Sequence, residues 1–266
     1  MILTADYHTH TVFSHGKGKV LDNAEVAKSL ALKEIGITDH GFSHPAFGLR
    51  KRKMPSLISQ CKNAKLLTGV NVLVGIESNI IGNDGTVDLK EKNYDKFDLF
   101  LAGIHKFVLY KFGTAFSLFL PNFINSTFKK VEVSQSLIKE NTKTFINVIK
   151  RNPVDVITHL NYCCYSDALE VAKVASDYGT YIELNAKKIH LSDEEISNIV
   201  DKTSVNFIID SDAHSPNRVG EISLVESLVK RLNISEDRIH NINGKLPEFR
   251  FKKFKESSGR WILARL

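Results

Sequence analysis

Three histidines, His8, His10 and His15, crowd the stretch DYHTHTVFSHG at residues 6–16. Neutral imidazole is the commonest side-chain metal ligand. His8 and His10 stand two residues apart, so on an extended backbone they leave the same side. The spacing recurs near the other end of the chain, where Asp212 and His214 stand two apart in DSDAH. Between the two pairs lie His40 in ITDH, Glu77 in GIES, His105 in AGIH and His159 in ITH. Imidazole and carboxylate ligands without thiolates suit Zn²⁺, Mn²⁺ or Fe²⁺, and ligand type does not choose among them. These nine residues exceed the roughly three or four protein ligands that one zinc takes. Two to three divalent transition metal ions sharing a bridging carboxylate are therefore expected. Such ions lower the pKa of bound water to roughly 7 and neutralise phosphoryl oxygens. That is the chemistry of phosphate-ester hydrolysis, in which positioning and charge stabilisation dominate.

Residues so far apart in the chain need a scaffold that gathers them. Seven apolar runs read as strands: LTADYH (3–8), EIGITDH (34–40), NVLVGIES (71–78), DLFLAGIH (98–105), VDVITH (154–159), TYIELNA (180–186) and VNFIIDSDAH (205–214). Their richness in Ile, Val and Leu fits buried parallel strands. Amphipathic segments at 22–36, 167–179, 192–202 and 221–232 read as helices. Asp167 and Ser192 are N-caps, with Glu170 and Glu195 three residues on. Repeated strand-then-helix units imply an α/β fold with right-handed crossovers, a barrel or an open doubly wound sheet. The ligand-type residues fall at the C-terminal ends of these strands or just beyond them. In a parallel barrel those ends open onto one face, where active sites are built. If the barrel closes, its first and last strands are neighbours and the two pairs meet. His44, His190 and His240 fall in loops or helices and carry no expected ligand role. Asp39, one residue before His40, should point away from it in a regular strand.

The chain has 266 residues, 42% hydrophobic and 25% charged, which is ordinary globular composition with ample core material. A net charge of +6 suits an anionic substrate. No dense Lys/Arg tract interleaves with stacking aromatics, so nucleic acid is not favoured as a partner. Self-association is left open. The start MILTADYHTH lacks the charged and long apolar regions of a signal peptide. No apolar run reaches the roughly 18 residues of a spanning helix. Cys61, Cys163 and Cys164 form no disulfide framework, and a cytoplasmic location is expected. P-loop, G-x-S-x-G and H-E-x-x-H signatures are absent. Residues 106–133, rich in Phe and Leu with Gly113 and Pro121, break the strand–helix rhythm. They read as an insertion, serving as extra core, as a self-contact, or as a lid or apolar wall beside the site.

A phosphate monoester needs cationic groups beside the metals. Lys106 follows His105 directly, Lys187 lies just past the sixth strand, and Arg218 is four residues beyond His214. These three are the substrate-binding candidates. Arg50, Lys51 and Arg52 form a basic patch after the second strand. Cys163 and Cys164 are assigned to packing.

The motifs YHTHTVFSHG, GITDHG, GIES, AGIH, ITHLN, IELNA and DSDAHSP together resemble those of the PHP (polymerase and histidinol phosphatase) superfamily, over roughly residues 5–245. The likeness is to its stand-alone, YcdX-like, histidinol-phosphatase-like branch. The resemblance implies one domain spanning 1–266, a distorted (β/α)7 TIM-like barrel with a trinuclear metal site at the C-terminal rim. It implies that His8, His10, Glu77 and Asp212 hold one ion. Glu77 would bridge to a second held with His105 and His159, and His15, His40 and His214 would hold a third. Two departures stand out: a longer, more apolar 106–133 segment, and Asn217 and Arg218 where acidic residues are often found. The expected activity is hydrolysis of a small phosphate monoester by metal-bound hydroxide, with Glu77, His105 and His214 as catalytic residues. The alternatives are phosphodiester or single-stranded DNA cleavage at the same site, and a non-catalytic metal-binding module.

Overall fold

The computed structural model describes residues 1–127 and 133–259. Seven strands, β1 (Ala5–Thr9), β2 (Glu34–Ile37), β3 (Asn71–Asn79), β4 (Leu99–Gly103), β5 (Val156–Ile157), β6 (Tyr181–Asn185) and β7 (Phe207–Asp210), form one sheet in sequence order. Every neighbouring pair is parallel. The sheet curls into a nearly closed α/β barrel of the TIM-like kind. Helices α1 (Val20–Ser29), α2 (Met54–Thr68), α3 (Leu120–Thr127), α4 (Gln135–Arg151), α5 (Ala168–Tyr178), α6 (Asp193–Lys202), α7 (Ser223–Arg231) and α8 (Arg250–Ser258) accompany it.

All seven expected strands exist, six of them shorter than expected and β3 longer by one residue, Asn79. The expected helix 22–36 ends early, because Leu30 closes α1 and Gly36 belongs to β2. Gly36 faces Tyr7 so closely that a Cβ there would lie 2.6 Å from the Tyr7 carbonyl oxygen, so its glycine serves strand packing and not a helix end. The two expected caps form. Asp167 accepts from the Glu170 N–H at 3.0 Å, and Ser192 and Glu195 bond each other's backbone N–H in a capping box.

Two apolar layers hold the barrel. Outward-facing Ile35, Ile37, Phe100, Ile157, Ile182, Phe207 and Ile209 pack beneath the helices. The interior is filled by Ala5, Tyr7, Leu99, Leu101, Val156, Tyr181 and Ile208, with Phe249 plugging the N-terminal end. The Tyr7 and Phe249 rings meet edge-on at 4.8 Å, a favoured aromatic geometry.

Side chains close the seam between β1 and β7. One bridge joins Thr9 to Ala213, with His10 N–H donating to the Ala213 carbonyl at 2.8 Å. Below it the Asn241 amide donates to the carbonyls of Ala5 (2.9 Å) and Ile209 (2.6 Å) and accepts from Ile209 N–H (3.0 Å). Buried Asp6 and Asp210 accept from the Ser211 and Tyr7 N–H groups. Polar side chains thus satisfy backbone groups that a strand ladder would otherwise pair.

Of the expected insertion, 106–127 and 133 are described, and 128–132 lie outside the described residues, as do 260–266 of the expected 1–266 domain. The segment runs from the end of β4 through a π turn (Ala115–Phe119) into α3. Leu118 is buried in the core, and Phe119 packs against Phe107, Tyr110 and Phe123.

Candidate metal centre

The nine ligand-type residues converge at the C-terminal rim of the barrel around Glu77, which is fully buried. Glu77 Oε1 lies 2.7 Å from His159 Nε2, 3.1 Å from His105 Nε2 and 3.3 Å from His8 Nε2. Its Oε2 lies 2.7 Å from His40 Nδ1 and 3.7 Å from His10 Nε2. Asp212 Oδ1 stands 3.2 Å from His214 Nδ1, 3.4 Å from His10 Nε2 and 3.8 Å from His8 Nε2. His8 and His10 bring their Nε2 atoms to 3.1 Å. His15 stacks on His40, ring centroids 4.8 Å apart, and its ring lies 4.2 Å from that of His214. The donor atoms of His40 and His214 also group with that of His10, all within 4.8 Å of one another.

This donor set fits divalent cations. Atoms around a tetrahedral ion with bonds of about 2.0–2.2 Å lie about 3.3–3.6 Å apart, near the spacings found here. Three triads, His8–His10–Glu77, His10–His40–His214 and His40–Glu77–His105, each hold their donor atoms within 4.8 Å. His40 Nδ1 and Glu77 Oε2 approach to 2.7 Å yet are misaligned for a hydrogen bond, so two buried polar atoms lack such a partner. Unpaired buried polar atoms are costly, and a shared cation would satisfy both.

The fold aims each side chain by identifiable means. Asp6 pairs with Ile35 and Thr9 with Ile37, so β1 spends one residue more than β2 between the two pairs. This bulge places both Tyr7 and His8 inward, and His10 follows His8. Asp212 and His159 have φ of +47° and +30°, left-handed backbone that non-glycine residues seldom adopt and that clusters at functional sites. Gly103 ends β4 against His159, where a Cβ would come within 2.8 Å of His159 Cε1.

Carboxylates the sequence reading did not assign fix these side chains from behind. Glu183 Oε1 lies 2.6 Å from His8 Nδ1, and its Oε2 accepts the His159 N–H at 2.6 Å and the Asn185 amide at 2.9 Å. Thr158 Oγ1 donates to Glu77 Oε1 at 3.0 Å. Asp39 points away from the cluster, as expected, and accepts from Thr11 N–H and Oγ1 and from Ser14 Oγ, pinning the loop that carries His15. Asp88 accepts from Ser43, Ser78 and Asn79, tying the chain beyond His40 to the end of β3. An acidic residue amid the buried run YIEL is a readable signal for Glu183, whereas nothing local marks Asp88.

Electrostatics keep the cluster receptive to cations. Burial opposes ionisation of Glu77, but the surrounding His105, His8 and His40 outweigh it and hold its carboxyl well below the usual range. Burial likewise opposes ionisation of Asp212, and His8, His10 and Lys187 overcome it. Burial, partly offset by Glu77, pushes His40 down to about 3, and burial with the charges of His214 and Lys187 pushes His15 down to about 4. His10 is lowered by burial and by His40. These imidazoles keep a lone pair for a metal near neutral pH. Burial would lower His8 too, but Glu77, Glu183 and Asp212 reverse the sign and raise it, so a cation there competes with a proton.

Above the cluster opens a cavity of about 330 Å³. Lys106 and Lys187 line it, and Lys187 Nζ lies 3.1 Å from His214 Nδ1 and 3.3 Å from Asp212 Oδ2. The structure does not bring Arg218 there: it is exposed on the turn Pro216–Arg218 and lines no part of the cavity. Its place is taken by Lys188, which the sequence reading passed over. Arg50, Lys51 and Arg52 also lie off the cavity and are exposed. His44 and His190 stand at the mouth, while His240 lies at the far end, bonded to Tyr181 Oη at 3.0 Å. Two larger clefts, about 820 and 640 Å³, open at that far end and contain none of the nine residues, so size does not mark the site.

A family model described as PHP domain matches residues 6–187. The chain belongs to the PHP domain family. A probable phosphatase of Thermoanaerobacter sp. (strain X514) is 30% identical over 97% of this chain and 99% of its own length. A probable phosphatase of Clostridium botulinum (strain Hall) is 28% identical over 89% of each chain. Among solved structures, histidinol phosphate phosphatase from Lactococcus lactis, in complex with zinc, L-histidinol and phosphate, superposes with a TM-score of 0.57 at 16% identity. The match covers 88% of this chain and 95% of that one. A Listeria monocytogenes protein assigned as the histidinol phosphatase HisK gives a TM-score of 0.56 at 12% identity, covering 81% of this PHP chain and 97% of its own. At these identities the structures share the PHP fold with this chain. Among the described residues no helix is long and apolar enough to cross a membrane.

Proposed function

We propose that this PHP protein is a metal-dependent phosphatase that hydrolyses a small phosphate monoester with up to three divalent transition metal ions. The chain is a phosphatase-class hydrolase, in keeping with its family and with relatives that match it along nearly their whole length. The observation that carries the metal reading is Glu77, a buried carboxylate whose two oxygens face five imidazoles at 2.7–3.7 Å.

In this reading His8, His10, Glu77 and Asp212 hold one ion, Glu77 with His105 and His159 a second, and His15, His40 and His214 a third. Bound ions of this kind activate water near neutral pH and draw charge from phosphoryl oxygens. The chain's own groups do the rest. Glu183 orients His8 and the backbone of His159. Lys187, beside His214 and Asp212, offers an ammonium to a phosphoryl oxygen, with Lys106 and Lys188 adding positive charge nearer the mouth. With His105 and His214 occupied as ligands, the departing alkoxide takes its proton from water in the cavity.

The test is elemental analysis of the purified chain together with a screen of metabolite monoesters, para-nitrophenyl phosphate, its bis-ester and labelled single-stranded DNA. Expected are two to three metal equivalents and turnover of monoesters ahead of the other two. Glu77→Gln should lose metal and at least roughly a thousandfold in rate while keeping its circular dichroism. Full activity in metal-free Glu77→Gln protein would defeat the proposal.

A further inference from the structure

We infer that the organic part of the ester is an uncharged aromatic ring, held between Phe47, Phe107 and Tyr162 at the cavity mouth. This deepens the phosphatase reading and rests on it.

All three rings line the cavity while remaining partly open to solvent, at 47%, 61% and 45% exposure. Two of them are seated on the imidazole floor. The Phe47 ring lies 5.0 Å from His15, and the Tyr162 ring 5.1 Å from His159. Phe107 follows His105 by two residues and is backed by Phe119 and Phe123. A group leaving phosphorus outward from that floor passes between these faces. Phe107 also has φ of +60°, a conformation that costs a bulky residue on the order of 1–3 kcal/mol. The chain holds an exposed ring at the mouth against a local backbone penalty.

Charge narrows the class further. Among the described lining residues the lysines are Lys106, Lys187 and Lys188, and the single carboxylate is Asp212. Asp212 already faces Lys187 at 3.3 Å and His10 at 3.4 Å. Among the described lining residues no other acid remains to receive an ammonium on the substrate, and such a group would meet three lysines. An aromatic face has no such conflict and can accept stacking and cation–π contacts.

The experiment uses the metal-loaded full chain and three phosphonates that cannot be hydrolysed: benzyl, cyclohexylmethyl and 4-(aminomethyl)benzyl. Calorimetry should find the benzyl compound bound about fivefold to tenfold more tightly than the cyclohexylmethyl compound, which matches its size without a π face. The aminomethyl compound should bind at least about fivefold more weakly than benzyl. Phe47→Leu and Tyr162→Leu should each erase most of the benzyl over cyclohexylmethyl preference. Phe107→Leu serves in place of either variant that misfolds. Equal affinity for the three compounds, or preference for the ammonium compound, overturns the inference. The corresponding phosphate esters, assayed in parallel, separate the two claims. Turnover of all three without preference leaves the phosphatase reading standing and removes this one. Selective phosphonate binding with no turnover of any ester does the reverse.

Discussion

Glu183 Oε1 lies 2.6 Å from Nδ1 of His8, joining the first strand of the barrel to the sixth across its interior. That contact fixes the ring so that Nε2 faces Glu77 and Asp212. Outer carboxylates of this kind set the tautomer of a ligating histidine, and their loss typically lowers metal affinity about 10–100-fold. Glu183→Ala should therefore weaken metal binding by about 100-fold, and Glu183→Gln, which still accepts from Nδ1–H, by about tenfold. Metal titration by calorimetry measures both, and unchanged affinity in the alanine variant would remove Glu183 from the site.

Asp88 accepts five hydrogen bonds, from Ser43 N–H and Oγ, Ser78 Oγ, and Asn79 N–H and Nδ2. Removing the carboxylate leaves several buried donors without partners, a loss of about 3–5 kcal/mol. Asp88→Ala should lower the urea midpoint accordingly and loosen the His40 loop. A change under about 1 kcal/mol would show that water replaces the carboxylate freely.

Gly16 faces the backbone that follows β1, where a Cβ would lie 2.5 Å from the His10 carbonyl and 2.6 Å from Thr11 N. Gly16→Ala must push the His15 loop outward, at a cost of about 1–3 kcal/mol. The expected result is a lower Tm and fewer metal equivalents by elemental analysis. Wild-type values in both would mean the loop absorbs a methyl group without moving.

Asp155 gives a pH signature away from the histidine cluster. Burial, countered by the N–H groups of Phe251 and Phe100, pushes its carboxyl up to about 7 from 3.8. Below about pH 4 both folded and unfolded chains hold the proton, and the protonated carboxyl contributes in full. As pH rises towards 7 the unfolded chain ionises first, so this stabilisation drains away, by at most about 4 kcal/mol. The stability of wild type relative to Asp155→Asn should thus fall between pH 4 and 7. A gap that stays constant across that interval contradicts the shift.

The sequence, read alone, located the nine residues because β/α repetition puts strand ends in one place, and strand ends could be read from runs such as NVLVGIES and TYIELNA. It assigned the pointing of Asp39 from alternation alone. It misjudged what alternation cannot reach. The span 22–36 merged α1 with β2, since Leu30–Lys33 carry no glycine or proline to mark the break. Arg218 stood close to His214 in sequence, but the turn after β7 carries it out to solvent.

What the sequence determined by itself is the inventory: which side chains can hold cations, and that a parallel barrel brings them to one rim. Only the tertiary structure decided their aim. A single extra residue in β1 turns His8 inward beside Tyr7, and left-handed backbone at His159 and Asp212 bends the chain over the cluster. Glu183 reaches across from β6 to hold His8 in place. The physical reason is that strand register and backbone handedness are settled by packing against neighbouring strands, and local residue order does not encode those neighbours.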